Sequence, residues 1–157
     1  MINITWEDIH ESAKELVEKI NKSGEPFDAV IGVGGSGLPH AVIVARALKL
    51  PMIPCMVSSY EGRVRKPPFV RVEPNANLKN LNLLIVDDII ATGDTFKVLK
   101  ELLLTKYEAT SVKTAAAFLS LLVCKEYPDY YARAYERQPN EWILFPWDDI
   151  KDFPELT

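Results

Sequence analysis

The sequence from residue 83 to residue 95 reads Leu83-Leu84-Ile85-Val86-Asp87-Asp88-Ile89-Ile90-Ala91-Thr92-Gly93-Asp94-Thr95. Its start belongs to a run, residues 81–86, that presents apolar side chains to both faces, which predicts a buried strand of a parallel sheet. The strand ends in Asp87 and Asp88. A turn follows and leads into a helix that we expect from residue 95 to residue 107.

The residue types in this stretch point to a specific ligand chemistry. Two adjacent carboxylates at a strand end can accept hydrogen bonds from a vicinal diol and help to hold Mg²⁺. The turn after them offers backbone amides, the hydroxyls of Thr92 and Thr95 and a helix N-terminus, which suit a phosphate dianion. A diol site beside a phosphate site fits a ribose 5-phosphate. The structural alternative is an acidic strand end followed by a helix cap.

Strands and helices alternate along the rest of the chain. Helices are predicted after an N-cap at Thr5 and over residues 39–48. Further strands are predicted at residues 29–31, 52–57, 112–122 and, as an edge strand, 130–135. This alternation predicts an α/β fold with a doubly wound, mostly parallel sheet, in which ligands bind beyond the carboxyl ends of the strands.

A glycine cluster, Gly32-Val33-Gly34-Gly35-Ser36-Gly37, follows the strand predicted at residues 29–31. Backbone amides without side chains in front of a helix form a natural anion cradle, or simply a tight strand-helix turn. The cluster also satisfies the dinucleotide pattern G-x-G-x-x-G, but that pattern needs an acid at the end of the next strand. Here that strand ends in Val57-Ser58-Ser59 and the nearest acid is Glu61, which disfavours a dinucleotide-binding domain.

Residues 58–80 differ from the rest of the chain in composition, because they show almost no hydrophobic periodicity and contain a basic cluster formed by Arg63, Arg65, Lys66 and Arg71. We interpret them as a long loop, which in a compact domain is usually functional or disordered. The alternative is a solvated hairpin with charged edges.

Composition excludes several classes of protein. The chain has 157 residues, 48% hydrophobic and 25% charged, with a net charge of −4. These values fit one soluble domain over residues 1–157 and argue against a broad nucleic-acid surface. No run is long enough to span a bilayer, and the N-terminus lacks the apolar core of a secretion signal. We expect a cytoplasmic protein whose two cysteines, Cys55 and Cys124, are reduced core thiols.

The stretch at residues 83–95 resembles the phosphoribosyl-diphosphate (PRPP) signature of the type I phosphoribosyltransferases. Gly34-Gly35 sits where that family has its pyrophosphate loop, and Ser58-Ser59-Tyr60 resembles the start of the flexible loop of the xanthine-guanine enzymes. Pro128-Asp129-Tyr130-Tyr131, followed by Trp142-Ile143-x-Phe145-Pro146-Trp147, resembles the C-terminal hood of that group and its archaeal relatives. The resemblance implies the type I fold with a small hood over about residues 125–157, and a purine substrate.

The resemblance also implies roles for single residues around PRPP. Asp87 and Asp88 would be catalytic residues that bind the ribose hydroxyls with Mg²⁺ nearby. Residues that would wrap the 5-phosphate are Ala91, Thr92, Gly93, Asp94 and Thr95. Groups that would meet pyrophosphate or close over it are Gly34, Gly35, Ser59, Tyr60, Arg63, Arg65 and Lys66, with Arg63 and Lys66 stabilising the charge that develops on it. Trp142 would stack on the purine, and Ile143 would meet its edge through the main chain.

Departures from the family pattern bear on which purine is used. The 6-oxopurine enzymes usually have an Asp where this chain has Ala91, and their oxo-group donor, a lysine, aligns near Leu121, with Lys125 close by. Val33 replaces an arginine of many xanthine-guanine relatives and leaves the amide cradle intact. A buried oxo group without its donor costs about 1–3 kcal/mol. We therefore favour adenine, with hypoxanthine, guanine or xanthine as the alternative.

The products would be a nucleoside monophosphate and pyrophosphate. A regulator of the same fold that senses PRPP or a nucleotide without catalysis remains a separate alternative. By analogy with the family we expect a homodimer, with the helix near residues 38–48 at the interface.

Overall fold

The computed structural model describes residues 1–61, 64–136, 138, 141–149 and 151. The strands are β1 (Ile2–Asn3), β2 (Ala29–Gly34), β3 (Met52–Glu61), β4 (Val64–Val72), β5 (Asn82–Ile90), β6 (Ser111–Ser120), β7 (Tyr130–Tyr135) and β8 (Ile143–Leu144). The helices are α1 (Trp6–Ser23), α2 (Leu38–Leu48), α3 (Asp94–Thr105) and a 3₁₀ turn at Pro146–Asp148.

The central sheet has six strands in the order β4-β3-β2-β5-β6-β7. Every neighbouring pair is parallel except β3 and β4. Helices α1 and α2 share one apolar core with one face of β2, β5 and β6, while α3 packs on the opposite face. The prediction of a doubly wound, mostly parallel α/β sheet is confirmed.

The first helix begins where the sequence predicts. Thr5 Oγ1 accepts a hydrogen bond from the Asp8 amide at 3.1 Å, and Asp8 Oδ2 accepts one from the Thr5 amide at 2.9 Å. This reciprocal capping box satisfies two amides that a helix start otherwise leaves free. The helix ends at Ser23 because Gly24 takes the left-handed conformation, with φ 69°.

The interpretation of residues 58–80 as a long loop is wrong. β3 continues to Glu61 and pairs antiparallel with β4, so the alternative of a solvated hairpin is the observed structure. The apolar alternation was obscured because β4 contains Pro67 and Pro68, which an edge strand tolerates and a central strand does not. The pairing also shifts register twice, between Met56 and Val57 and between Ser58 and Tyr60.

Two other expectations need correction. β5 does not end before the acids: Ile89 and Ile90 still pair with β6, so Asp87 and Asp88 lie inside the strand. Cys124 does not lie in a strand, because β6 ends at Ser120, and its thiol is half-buried. Cys55 is the buried thiol that the sequence predicts, and burial raises its pKa to about 12.

The C-terminal segment is fastened to the N-terminus. β8 pairs in parallel with β1, a strand that the sequence did not predict. The rings of Phe145 and Trp147 stack at 4.8 Å, and Phe145 also contacts Phe118 of β6. These contacts hold the hood on the α1–α2 side of the sheet. In the described part of the chain, no helix is long and apolar enough to cross a membrane.

Candidate active site

The carboxyl ends of the central strands bring the predicted site residues together. Gly32 of β2 lies beside Val86 of β5, so the glycine cluster and the two acids leave the sheet at the same edge. A cavity of about 170 Å³ opens there. Its lining includes Ser59, Asp87, Ala91, Thr92, Gly93 and Thr95, all of which the sequence predicts as site residues.

The two acids are held by main-chain amides. Asp87 Oδ1 accepts a hydrogen bond from the Asp88 amide at 2.8 Å, and Asp88 Oδ1 accepts one from the Ile89 amide at 2.7 Å. Asp88 is only 7% exposed. Burial is the main cause that raises the pKa of Asp87 well above its usual value, and the negative charge of Asp88 raises it further. Burial also raises the pKa of Asp88, and the negative charge of Asp148 contributes to that rise. A cation at this pair is therefore favoured electrostatically.

The acids supply only part of a metal coordination shell. Among the described residues, no three His, Cys, Asp or Glu side chains converge on one point. Mg²⁺ is commonly held by one or two carboxylates, with waters and substrate phosphates completing its octahedron. The adjacent carboxylates of Asp87 and Asp88 fit that mode and do not fit an all-protein metal cage.

The turn after β5 is shaped for an anion. Gly93 has φ +97°, a left-handed conformation that favours glycine, and it occupies the N-cap of α3. Since glycine has no side chain with which to cap α3, the first-turn amides after that of Asp94 are left for a ligand. Thr92 Oγ1 donates to Asp94 Oδ2 at 2.8 Å and accepts from the Asp94 amide at 3.3 Å, which fixes the loop.

The glycine cluster forms an open cradle. The peptide bond between Gly34 and Gly35 is cis. Apart from Gly35 itself and its two chain neighbours, no described residue has an atom within 4 Å of the position that a Cβ on Gly35 would take. The opposite holds at Gly37, where a Cβ would come within 2.5 Å of Asp87 Oδ1. The sequence pattern predicted Gly34 and Gly35 as ligand contacts. It did not predict that the absence of a side chain at Gly37 leaves the space that the Asp87 carboxylate occupies.

The hairpin formed by β3 and β4, here named the hairpin arm, reaches the turn after β5. Lys66 lines a second cavity, of about 370 Å³, together with Ser59, Thr92, Asp94 and Thr95. Its ammonium lies 2.5 Å from Glu61 Oε2, an exposed ion pair. The prediction for Arg63 lies outside the described residues, and so do the predictions for the side chains of Tyr60 and Arg65, whose main chains pair across the hairpin.

The predicted base-binding residues occupy the hood. Trp142 is 69% exposed, which excludes a role as a core residue. Its carbonyl accepts the Ile2 amide at 3.0 Å, and the Leu144 carbonyl accepts the Ile4 amide at 2.9 Å. The Ile143 carbonyl therefore points away from β1, while the Ile143 side chain is buried in the core. In the described part of the chain, neither Trp142 nor Ile143 lines the cavity at Asp87 or the one at Lys66.

The two candidates for an oxo-group donor lie differently. Leu121 is half-buried and packs on the α3 side of the sheet. Lys125 is exposed, and its main-chain amide donates to the Thr92 carbonyl at 3.2 Å. Lys125 thus lies beside the turn after β5, on a loop whose contact with that turn the sequence did not predict.

Comparison with known proteins identifies the family. Residues 5–149 match the phosphoribosyl transferase domain. Xanthine-guanine phosphoribosyltransferase of Gluconobacter oxydans is 30% identical over 152 residues, covering 92% of this chain and 83% of that protein. The enzyme of the same name from Idiomarina loihiensis is 29% identical over 147 residues, covering 92% and 85%.

Two solved structures share the architecture. A purine phosphoribosyltransferase from Pyrococcus horikoshii is 29% identical, has a TM-score of 0.79 and covers 99% of this chain and 97% of its own. A protein from Neisseria gonorrhoeae with bound ppGpp is 25% identical, has a TM-score of 0.75 and covers 96% and 90%. The match of the family domain over residues 5–149 spans most of the 157 residues, and the chain therefore belongs to the phosphoribosyltransferase family.

Proposed function

We propose that this protein transfers the 5-phosphoribosyl group of PRPP to N9 of a 6-oxopurine, releasing pyrophosphate. The observation that carries this proposal is that one cavity joins a half-buried carboxylate, Asp87, to a helix N-terminus whose N-cap is Gly93. That cavity offers a ribose diol its acceptors and a 5-phosphate its amides.

The chain's own residues would act mainly by positioning and electrostatics. Asp87 and Asp88 accept hydrogen bonds from the ribose hydroxyls and orient C1, while Thr92, Gly93 and Thr95 hold the 5-phosphate. Asp87 and Asp88 would also hold Mg²⁺, and the chemistry that the bound ion supplies is neutralisation of charge on pyrophosphate. The bond from C1 to the pyrophosphate oxygen breaks with its electron pair leaving on pyrophosphate. The N9 lone pair forms the new bond to C1, and the N9 proton passes to water.

The hairpin arm and the glycine cradle would serve the leaving group. Lys66 is exposed on the arm above the phosphate side of the site, and its Glu61 partner is exposed too. Such a pair contributes little to stability, about 0–1 kcal/mol, so the lysine is easily recruited by pyrophosphate. The open space over Gly35 leaves room for the same anion. Closure of the arm would exclude the water that hydrolyses PRPP.

The choice of base rests on the relatives. The curated relatives described above are named xanthine-guanine phosphoribosyltransferases, which favours a 6-oxopurine over the adenine that the sequence pattern suggested. Ala91 still lacks the carboxylate usual in 6-oxopurine enzymes. Lys125, on the loop beside Thr92, is the residue we propose as donor to the oxo group, in place of Leu121, which has no donor.

The test is product formation from PRPP and Mg²⁺ with hypoxanthine, guanine, xanthine and adenine offered separately. We expect inosinate, guanylate or xanthylate as the main product, and a loss of that product in Lys125→Met. Lys79→Met is the matched control, because Lys79 is an exposed lysine just before β5 begins, at the opposite edge of the sheet from the site. Adenylate alone would return the base assignment to adenine and leave the family chemistry intact.

A second candidate function is nucleotide sensing without turnover. It is favoured by one observation, the ppGpp bound to the relative from Neisseria gonorrhoeae. Binding of ppGpp and PRPP by calorimetry, together with no nucleotide product from any of the four bases, would support this reading against the enzymatic one.

A further inference from the structure

The phosphate-binding turn, Ala91 to Thr95, is covered on its outer side by the loop between β6 and β7, residues 121–129. The Lys125 amide donates to the Thr92 carbonyl at 3.2 Å. A Cβ on Gly93 would lie 2.8 Å from the Glu126 carbonyl oxygen. The main chain of Glu126 therefore packs directly against the main chain of Gly93, and a movement of the β6–β7 loop would displace the turn.

The β6–β7 loop is held at its far end by Asp129. Asp129 Oδ2 accepts hydrogen bonds from the Thr114 amide at 2.8 Å and from the Thr114 hydroxyl at 3.2 Å. The Asp129 amide in turn donates to Thr114 Oγ1 at 3.1 Å. Thr114 lies in β6 and is only 6% exposed, so its position is set by the sheet. At the near end, the Cys124 amide donates to the Ser120 carbonyl at 3.1 Å.

This arrangement makes Asp129 the link between a rigid strand and the turn. β7 begins at Tyr130, which pairs with Ala115, so the Asp129 carboxylate occupies the place that a strand neighbour would take beside Thr114. From there the chain runs under α3, where Glu126 and Asp129 border a cavity of about 100 Å³ with Lys97 and Lys100. With Thr114 fixed, Asp129 sets where Glu126 meets Gly93.

We infer that Asp129 is a positioning residue for the 5-phosphate subsite, acting through the β6–β7 loop on Thr92 and Gly93. The inference rests on the proposed function, because it assigns the turn to the 5-phosphate of PRPP. A turn that is already held in its binding geometry loses no conformational entropy when the phosphate binds. Release of the loop should therefore weaken PRPP binding. Because the same loop carries Lys125, the proposed oxo-group donor, it should also weaken purine binding, though less, since stacking on Trp142 depends on the hood.

The experiment compares steady-state kinetics of three variants. Asp129→Ala removes both acceptor bonds, and we expect the KM for PRPP to rise about five- to tenfold, as loss of hydrogen bonds to a charged group predicts. Asp129→Asn keeps an acceptor oxygen and should stay within about twofold. Thr114→Val removes the hydroxyl in a variant of nearly the same shape and should shift the KM in the same direction by less. The KM for the purine should rise by a smaller factor than the KM for PRPP in all three variants.

The matched control is Asp28→Ala. Asp28 Oδ2 accepts the Asn82 amide at 2.7 Å, which is the same kind of bond, at the opposite edge of the sheet. We expect this variant to lose thermal stability with an unchanged KM for PRPP. The inference is overturned if the KM for PRPP shifts equally in Asp28→Ala and Asp129→Ala. It is also overturned if Asp129→Ala and Thr114→Val lower the melting temperature without any shift in KM, because Asp129 would then only stabilise the start of β7.

Failure of the proposed function gives a different result. If the wild-type protein makes no nucleotide from any base, the Kd for PRPP with Mg²⁺, measured by calorimetry, replaces the KM, and the same order among variants is expected. If the wild-type protein does not bind PRPP, the proposed function and the positioning role are both overturned.

Discussion

The imidazole of His40 in α2 is fully buried, and its Nε2 lies 3.0 Å from Ser12 Oγ in α1. The Ser12 hydroxyl donates to the Ile9 carbonyl at 3.1 Å, so Nε2 donates to Ser12 Oγ. Burial keeps the ring neutral at neutral pH, which leaves Nδ1 unprotonated. That Nδ1 has no partner among the described residues. Rings of Phe118 and Trp147 face the imidazole edge-on. Burial lowers the pKa of His40 to about 4.

This burial predicts a pH-dependent stability. The unfolded chain takes up a proton on His40 near pH 6.5 and the folded chain only near pH 4, so stability is lost as the pH falls through that window. The loss amounts to about 3 kcal/mol at the low end, since one pKa unit is about 1.4 kcal/mol. Urea unfolding from pH 4 to pH 7 measures it. His40→Gln should flatten the dependence, while the exposed His10→Gln should not; parallel curves for wild type and His40→Gln would contradict the assignment.

Gly37→Ala should impair the site through Asp87. The new Cβ would lie within 2.5 Å of Asp87 Oδ1 and of the Val33 carbonyl oxygen, so the carboxylate must move. We expect kcat/KM for PRPP to fall at least about tenfold, the loss of one well-placed hydrogen bond to a charged group. Gly32→Ala is the control, because its Cβ meets side chains of α2 and β3 instead. A similar kinetic loss in both variants would point to general disruption of packing.

Asp88→Asn should weaken the use of PRPP and the dependence on Mg²⁺ together. The substitution keeps the shape and the acceptor for the Ile89 amide but removes the charge that a cation requires. A fall in kcat/KM of about ten- to a hundredfold is expected from the loss of charge-assisted hydrogen bonds. Titration of activity with Mg²⁺ checks the coupling. An unchanged apparent affinity for Mg²⁺ would remove Asp88 from the metal site.

Trp142→Ala should act on the purine. The indole is largely exposed, so its removal costs little stability, whereas base stacking on an aromatic ring is worth about 1–3 kcal/mol. We expect the KM for the purine to rise about tenfold with a melting temperature close to that of the wild type. Trp6→Ala, which removes another exposed tryptophan, should leave that KM unchanged. Equal KM values in wild type and Trp142→Ala would exclude stacking at this position.

The hairpin shows where sequence patterns mislead. Residues 58–80 lack a period of two because prolines and bulges interrupt an edge strand, β4, whose described side chains are exposed or half-buried on both faces, and the pattern therefore suggested a loop. The short β1–β8 pair was missed for a different reason. Two-residue strands carry no periodicity, and their pairing depends on the hood folding back to the N-terminus.

The sequence alone determined the alternation of the central parallel strands with the helices, the doubly wound sheet and the cap at Thr5, and its residue types at 87–95 predict a ligand site. Those features depend on local periodicity, cap chemistry and turn residues, which a linear string carries. Only the tertiary structure decided that Gly37 leaves space for the Asp87 carboxylate and that Glu126 packs against Gly93. It also decided that Asp129 accepts hydrogen bonds from Thr114. These contacts join positions far apart in the chain, and they form only because parallel strands bring their carboxyl ends, and the loops that follow them, to one edge of the sheet.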